Sequence, residues 1–399
     1  MTYIIVFIVL LLFSVAEHQV SGGWRRAMQA VAYVLLVVIA GLRYETGGDW
    51  DVYTRLFERI PSLANIHDAG VFDQEYIEPA FLWLCATVKA LGGTIQGVFL
   101  IITWVNITLL VIGLRRYTPY LLTGMLVYYC LFYFALDMMY TRQSTSVLLA
   151  FVALPYAEQW KDIWKYALLI ALAALCHRMA LVMIPVYLYL RLHLSNTAVV
   201  VIVGIGCVMM LTGVEWLKPV YLMVCKWLGP EVYGHALGYV KNLHYGLARG
   251  MSIGFVLNLI LLALLLWKRE AIEERPYGKT LFAMFVLSLV TYYYGYELLE
   301  VSNRFRFYFF ISVVALFPML LEVLEIRFNK MVCTLFVYAY LLAFCRGILF
   351  NRAEAVAYQP YQNYVVYRLT EQRSSGKERI QQHKKQAKQE RRELQKKNE

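Results

Sequence analysis

Apolar runs recur from one end of this chain to the other, and no long polar block interrupts them before residue 351. A helix that crosses a bilayer needs about 20 consecutive apolar residues, because only a helix or a closed barrel satisfies its own backbone in hydrocarbon. The runs at 2–16, 27–42, 95–113, 119–136, 142–157, 197–213, 252–267, 279–296, 305–321 and 331–350 are read as such helices. Two regions are ambiguous. Residues 79–91 are short and end at Gly92-Gly93. Residues 164–190 are broken by His177-Arg178, too long for one span and short for two. The expectation is an all-α, polytopic integral membrane bundle with about 10–13 membrane segments.

Charge supports this. Only 16% of the 399 residues are charged and 60% are hydrophobic, against roughly 25% charged in soluble domains. The net charge of +11 is unevenly spread, since residues 368–399 hold eleven Lys/Arg against five Asp/Glu. The chain therefore divides into a membrane domain, 1–367, and a basic polar tail, 368–399, with nothing in the tail to build a core. Anionic lipid headgroups attract such a tail, and no nucleic-acid partner is expected. The seven cysteines lie mostly inside apolar runs without metal-ligand spacing, as small buried hydrophobes do. Met1–Val15 lacks a basic leader and a small-residue cleavage site, which reads as a retained helix.

Short basic links mark the cytoplasmic side. Here they are Arg25-Arg26, Arg115-Arg116, Lys161–Lys165, Lys268–Lys279 and Arg327–Lys330. Segments 43–78 and 214–250 then become outer loops, and the first carries 3 basic and 8 acidic residues. This requires 79–91 to be re-entrant or to lie on the surface, and 164–190 to be two short helices meeting outside near His177. On this count the basic tail falls on the outer side, so either the crossing count is off by one or the tail breaks the rule.

The densest polar constellation is Arg43-Tyr44-Glu45-Thr46-Gly47-Gly48-Asp49-Trp50, followed by Tyr53 and Phe57 at helical spacing. Gly47-Gly48 permits a tight turn with positive φ, bringing Asp49 back toward Arg43. Asp49 is a candidate base for a sugar hydroxyl; a capped surface helix with a structural Arg–Asp pair is the plainer reading. Arg142-Gln143 stands at the mouth of an apolar helix, where a guanidinium fork suits phosphate. His177-Arg178 breaks an apolar stretch. Arg304 and Arg306, interleaved with aromatics, could hold a diphosphate. Interfacial snorkelling is the alternative for these arginines. Loop 214–250 holds Tyr233, His235, Tyr239, Lys241, His244, Tyr245 and Arg249, a composition that suits carbohydrate but is also common at interfaces.

The pattern Arg43-Tyr44-x-x-Gly47-x-Asp49-Trp50-x-x-Tyr53-x-x-x-Phe57 resembles the N-terminal hallmark of the EpsG-type exopolysaccharide proteins, relatives of the Wzy-type O-antigen and capsule polymerases. Arg142-Gln143 and the run from Leu172 to Cys176-His177 follow in the order of that family's later patterns. The resemblance implies a glycosyltransferase-C-like enzyme of the bacterial plasma (inner) membrane. It would move a growing glycan from undecaprenyl diphosphate onto a repeat unit on the same lipid, at the outer face. A flippase and a chain-length regulator are the implied partners besides membrane lipids. No cofactor or metal is expected. On this reading Asp49 or His177 serves as base and Arg142 acts on the leaving diphosphate. Arg43, Tyr44, Tyr53, Gln143, Arg178, Arg304, Arg306 and Tyr245 contact substrate. Rival readings are a flippase for the same lipids, a surface-sugar acyltransferase and a glycan ligase.

Overall fold

The computed structural model describes residues 1–68, 77–241, 251–350, 355–371 and 374–382, together with Lys385 and Gln389. Helices dominate the described residues, and one isolated bridge pairs Arg43 with Asn363. The bundle is built from α1 (Thr2–Ala16), α2 (Gly22–Gly41), α3 (Trp50–Arg59), α4 (Pro79–Ala90), α5 (Ile95–Tyr117) and α6 (Leu121–Leu136). It continues with α7 (Thr141–Ala157), α8 (Ile163–Cys176) and a 3₁₀ stretch, Arg178–Met183, leading to α9 (Val186–Tyr189). Then come α10 (Asn196–Thr212), α11 (Leu217–Leu228), α12 (Pro230–Lys241), α13 (Ile253–Trp267), α14 (Arg269–Glu273) and α15 (Gly278–Tyr294). The last are α16 (Leu299–Phe310), α17 (Val313–Glu322), α18 (Arg327–Phe350) and α19 (Tyr364–Thr370).

By length and composition, α2, α5 and α18 are each able to cross a membrane alone. Two bent pairs, α10 with α11 (95°) and α16 with α17 (45°), pass the same test together. Other apolar runs form helices of 10–17 residues, α1, α4, α6, α13 and Arg178–Tyr189 among them. At 1.5 Å per residue the twelve residues of α4 extend only about 18 Å, well short of a crossing. The stretch 164–190 is indeed split: α8 stops at Cys176, His177 is extended (φ −161°, ψ 116°), and the chain turns back through the 3₁₀ stretch.

Side-chain patterning explains the packing. In α1, Tyr3, Val6, Leu10 and Ser14 are buried at helical spacing while Ile5, Ile8, Leu12 and Val15 stay exposed, an apolar outer face suited to acyl chains. Tyrosine hydroxyls tie α6 to its neighbours: Tyr129 donates to Tyr3 O (2.8 Å) and Tyr133 to Leu36 O (2.6 Å). At the start of α6, Glu17 accepts the backbone N–H groups of Leu122 (2.9 Å) and Thr123 (3.0 Å), satisfying donors that a helix N-terminus leaves open.

Polar residues gather at two ends of the bundle. One end gathers basic links: Arg25 pairs with Glu17 (3.5 Å) and donates to Pro119 O, and Arg191 donates to Glu158 O (2.9 Å). The other end holds Arg43, Asp49, Arg142 and His177, and there the loop after α2 folds down as a small layer. Tyr53, Leu56 and Phe57 of α3 pack against Phe81, Leu82 and Cys85 of α4 and Phe99 and Ile102 of α5. The C-terminal segment clasps this layer: Tyr44 N–H donates to Gln362 O (2.8 Å), Tyr364 N–H to Leu42 O (2.8 Å) and Gly47 N–H to Ala357 O (2.9 Å). The first part of the basic tail is seated there too, with Ser374 Oγ donating to Glu45 Oε2 (2.5 Å) and Ile380 buried.

Candidate functional site

Two glycines set the site's geometry. Gly47 has φ +111°, and a Cβ there would collide with the Met138 carbonyl oxygen; a Cβ on Gly48 would come within 3.0 Å of the Met139 side chain. Bare backbone thus lies against Met138-Met139, the stretch that leads directly into Tyr140, Thr141 and Arg142. Arg43 reinforces this junction from beneath. Its guanidinium donates to Ala40 O (2.7 Å) and Thr141 Oγ1 (3.1 Å) and stacks on Phe99 at 4.1 Å. With 1% exposure, Arg43 is a buried strut within electrostatic reach of Asp137. It is enclosed by protein rather than open to the mouth.

Behind the junction lies a closed polar network. Asp137 accepts from Asn106 Nδ2 (2.8 Å), Tyr128 OH (2.6 Å) and Ser144 Oγ (3.2 Å), and Thr145 Oγ1 donates to Asn106 Oδ1 (2.7 Å). Buried polar groups satisfied in this way fix one arrangement of the helices that carry them, here α5, α6 and α7.

At the front, three side chains from three elements meet. Glu78, 4% exposed, precedes Pro79 at the start of α4 and accepts from Arg142 Nη1 on Oε2 (2.5 Å). Its other oxygen, Oε1, is 3.9 Å from His177 Nε2, beyond hydrogen-bonding range. Arg142 also meets the Tyr53 hydroxyl, with the Tyr53 and Phe81 rings each 5.9 Å away. His177 stands in the break between α8 and the 3₁₀ stretch, with Nδ1 buried and without a hydrogen-bond partner. Burial, then the charges of Arg142, Arg304 and Arg178, pushes its pKa down to about 4. It is therefore a neutral imidazole at neutral pH, so its approach to Glu78 is not an ion pair.

A second arm comes from α16. Gln143 Nε2 donates to Arg304 O (2.6 Å), and Tyr140 OH donates to Glu300 Oε1 (2.6 Å). The Arg304 guanidinium lies over the Tyr140 ring (5.2 Å) and 3.7 Å from Glu300. Arg306 turns the other way. It is 9% exposed, donates to Asn258 Oδ1 (3.3 Å) and stacks on Phe310 (3.9 Å) and Tyr292 (4.7 Å). Residues two apart on a helix point about 200° away from each other, so the two arginines cannot grip one diphosphate together.

The other expected residues separate likewise. Asp49 is half-buried at the start of α3, and its charge is felt at Tyr53, Tyr140 and Tyr358. Arg178 is exposed beside His177. Tyr44 faces a different hollow of about 310 Å³, where it stacks on Tyr367 with ring centroids 4.2 Å apart. Tyr245, His244 and Arg249 lie outside the described residues. Glu78 was not singled out from sequence, although an acidic residue before a proline that opens an apolar helix is a recognisable N-terminal signal. Glu78 and His177 are possible metal donors, but among the described residues no group of three His, Cys, Asp or Glu forms.

Arg142 also stands at the lip of an almost wholly apolar crevice of about 210 Å³ between α4, α5, α7 and α8, lined by Phe81, Leu84, Ile101, Val105 and Cys176. The charged cluster thus opens into an apolar slot of a helical membrane protein. The comparison with known families is specific: the EpsG profile matches residues 27–363, nearly the whole chain. The chain belongs to the EpsG family, a Wzy-like exopolysaccharide polymerase family. No curated protein and no solved structure matches it.

Proposed function

We propose that this protein polymerises glycans carried on a polyprenyl diphosphate, undecaprenyl diphosphate in the bacterial plasma membrane, with its site facing outward. The observation that carries this reading is the Arg142–Glu78–His177 cluster at the mouth of the apolar crevice. The crevice accepts prenyl units, while Arg142 and Arg304 meet the diphosphate. The acceptor hydroxyl oxygen attacks the anomeric carbon of the donor, and the bond from that carbon to the diphosphate breaks. The electron pair leaves with the diphosphate, where a guanidinium stabilises it. His177 takes the hydroxyl proton. Its pKa of about 4, set first by burial, makes it a weak base alone; a bound diphosphate offsets the arginine charges that lower it further and so raises it. Asp49, at the start of α3, is the alternative base.

The outward orientation rests on the basic links at the opposite end, which favour the cytoplasm. The test is incubation of the purified protein with a single lipid-linked repeat. Wild type should give a ladder of products, and Arg142→Ala and His177→Gln should not. Unchanged repeat that moves across the bilayer would point to a flippase instead.

A further inference from the structure

A second cavity lies at the opposite end, about 410 Å³ in volume, between the turn after α9 and the α14–α15 connection. Its rim carries Arg191, Arg269, Arg275 and Lys279 against two carboxylates, Glu158 and Glu273. Val199 and Phe282 lie buried beneath it, with the Arg269 guanidinium over the Phe282 ring at 4.7 Å. Two of the four cations are neutralised locally: Arg269 by Glu273 (2.6 Å) and Arg275 by Glu322 (3.2 Å). The other two have no carboxylate partner among the described residues. Arg191 donates to the carbonyls of Glu158 (2.9 Å) and Ala157 (3.3 Å), and Lys279 Nζ lies 3.4 Å from His193 Nε2.

The surroundings have the composition of a membrane interface. Trp160 (73% exposed) and Trp267 (53%) flank it. Trp160 packs on Tyr187, which lies under Arg191 at 4.6 Å, and Lys268 lies over Trp267 at 4.8 Å. Exposed tryptophans beside Lys and Arg mark the headgroup level of a bilayer. We propose that this cavity binds the phosphate of an anionic lipid headgroup, with Arg191 and Lys279 as the phosphate ligands. Basic pockets between membrane helices suit this chemistry, and the site is separate from the Arg142 cluster.

The test follows the thermal unfolding of the full chain in neutral detergent as phosphatidylglycerol, phosphatidylcholine or inorganic phosphate is added. Phosphatidylglycerol should raise the midpoint, phosphatidylcholine should not, and inorganic phosphate should act only weakly. The phosphatidylglycerol concentration giving half the effect should rise on the order of thirtyfold in Arg191→Gln/Lys279→Gln. It should rise about fivefold in Lys279→Gln, the variant to rely on if the double one does not fold. A control pair at the same end but outside the cavity, Lys161→Gln/Arg327→Gln, should respond like wild type. An unchanged response in both cavity variants, or an equal loss in the control pair, overturns the proposal. So does inorganic phosphate matching the lipid, which would make the ligand a free anion.

Discussion

Glu78 and Arg142 are 64 positions apart in sequence and share a 2.5 Å hydrogen bond at the mouth of the crevice. The pair is shielded on the carboxylate side, where the side chain is 5% exposed, and partly open on the guanidinium side, at 25%. That asymmetry leaves Arg142 held on one flank and available on the other.

The first prediction concerns this pair. Arg142→Ala should lower polymerisation by on the order of 10²–10³-fold, the usual loss when a preorganised charge is removed from a leaving group. Glu78→Gln keeps the shape but weakens the anchor. It should cost roughly 2 kcal/mol of stability, the scale of a charge-assisted hydrogen bond, read as a lower midpoint in thermal unfolding.

The second uses His177. Its folded pKa, about 4, lies below the ordinary value near 6.5, so on acidification the unfolded chain takes up a proton that the folded chain refuses. The stability from the neutral imidazole is complete above pH 6.5 and declines as pH falls from there toward 4. Thermal midpoints measured between pH 7.5 and 4.5 should fall less steeply in His177→Gln than in wild type. Parallel curves would contradict the assignment.

The third separates Arg304 from Arg306. Arg304→Ala should raise KM for the lipid-linked donor several-fold with little change in unfolding midpoint, because the side chain is partly exposed at the mouth. Arg306→Ala should do the reverse. It leaves Asn258, which also accepts from Tyr340, without its guanidinium donor, and the midpoint should fall by an amount equivalent to about 2–3 kcal/mol.

The fourth compares two glycines with positive φ. Gly47→Ala meets both an unfavourable backbone and the Met138 carbonyl, whereas Gly92→Ala (φ +73°) meets open space. The second should cost about 1 kcal/mol from the backbone alone. The first should cost more and should abolish polymerisation, since it displaces the stretch that carries Arg142. Equal effects on activity would remove the junction from the site.

Much of this was legible in the sequence because hydrophobic periodicity and breaks act locally. The helical bundle, the shortness of 79–91, and the break at His177 all follow from residue patterning near those positions. The meeting of Arg142 and His177 was expected only as a gathering at one end. Their partner was not, because Glu78 counted merely as one of many acids in an outer loop, and pairing across 64 positions leaves no local trace. The different fates of Arg304 and Arg306 follow from helix geometry once a helix is known to begin at Leu299. The inward burial of Arg43 does not follow in the same way, since it depends on Phe99 and Thr141 arriving from two other helices.

The clasp between the loop after α2 and residues 357–364 sets an order on biosynthesis. A ribosome emits Tyr44 and Gly47 more than three hundred codons before it emits Ala357 and Gln362. Until then, the backbone groups that will close over the acidic loop have nothing to close with. A nascent chain therefore inserts its early helices with this mouth unfinished, and residues 357–364, made much later, complete it.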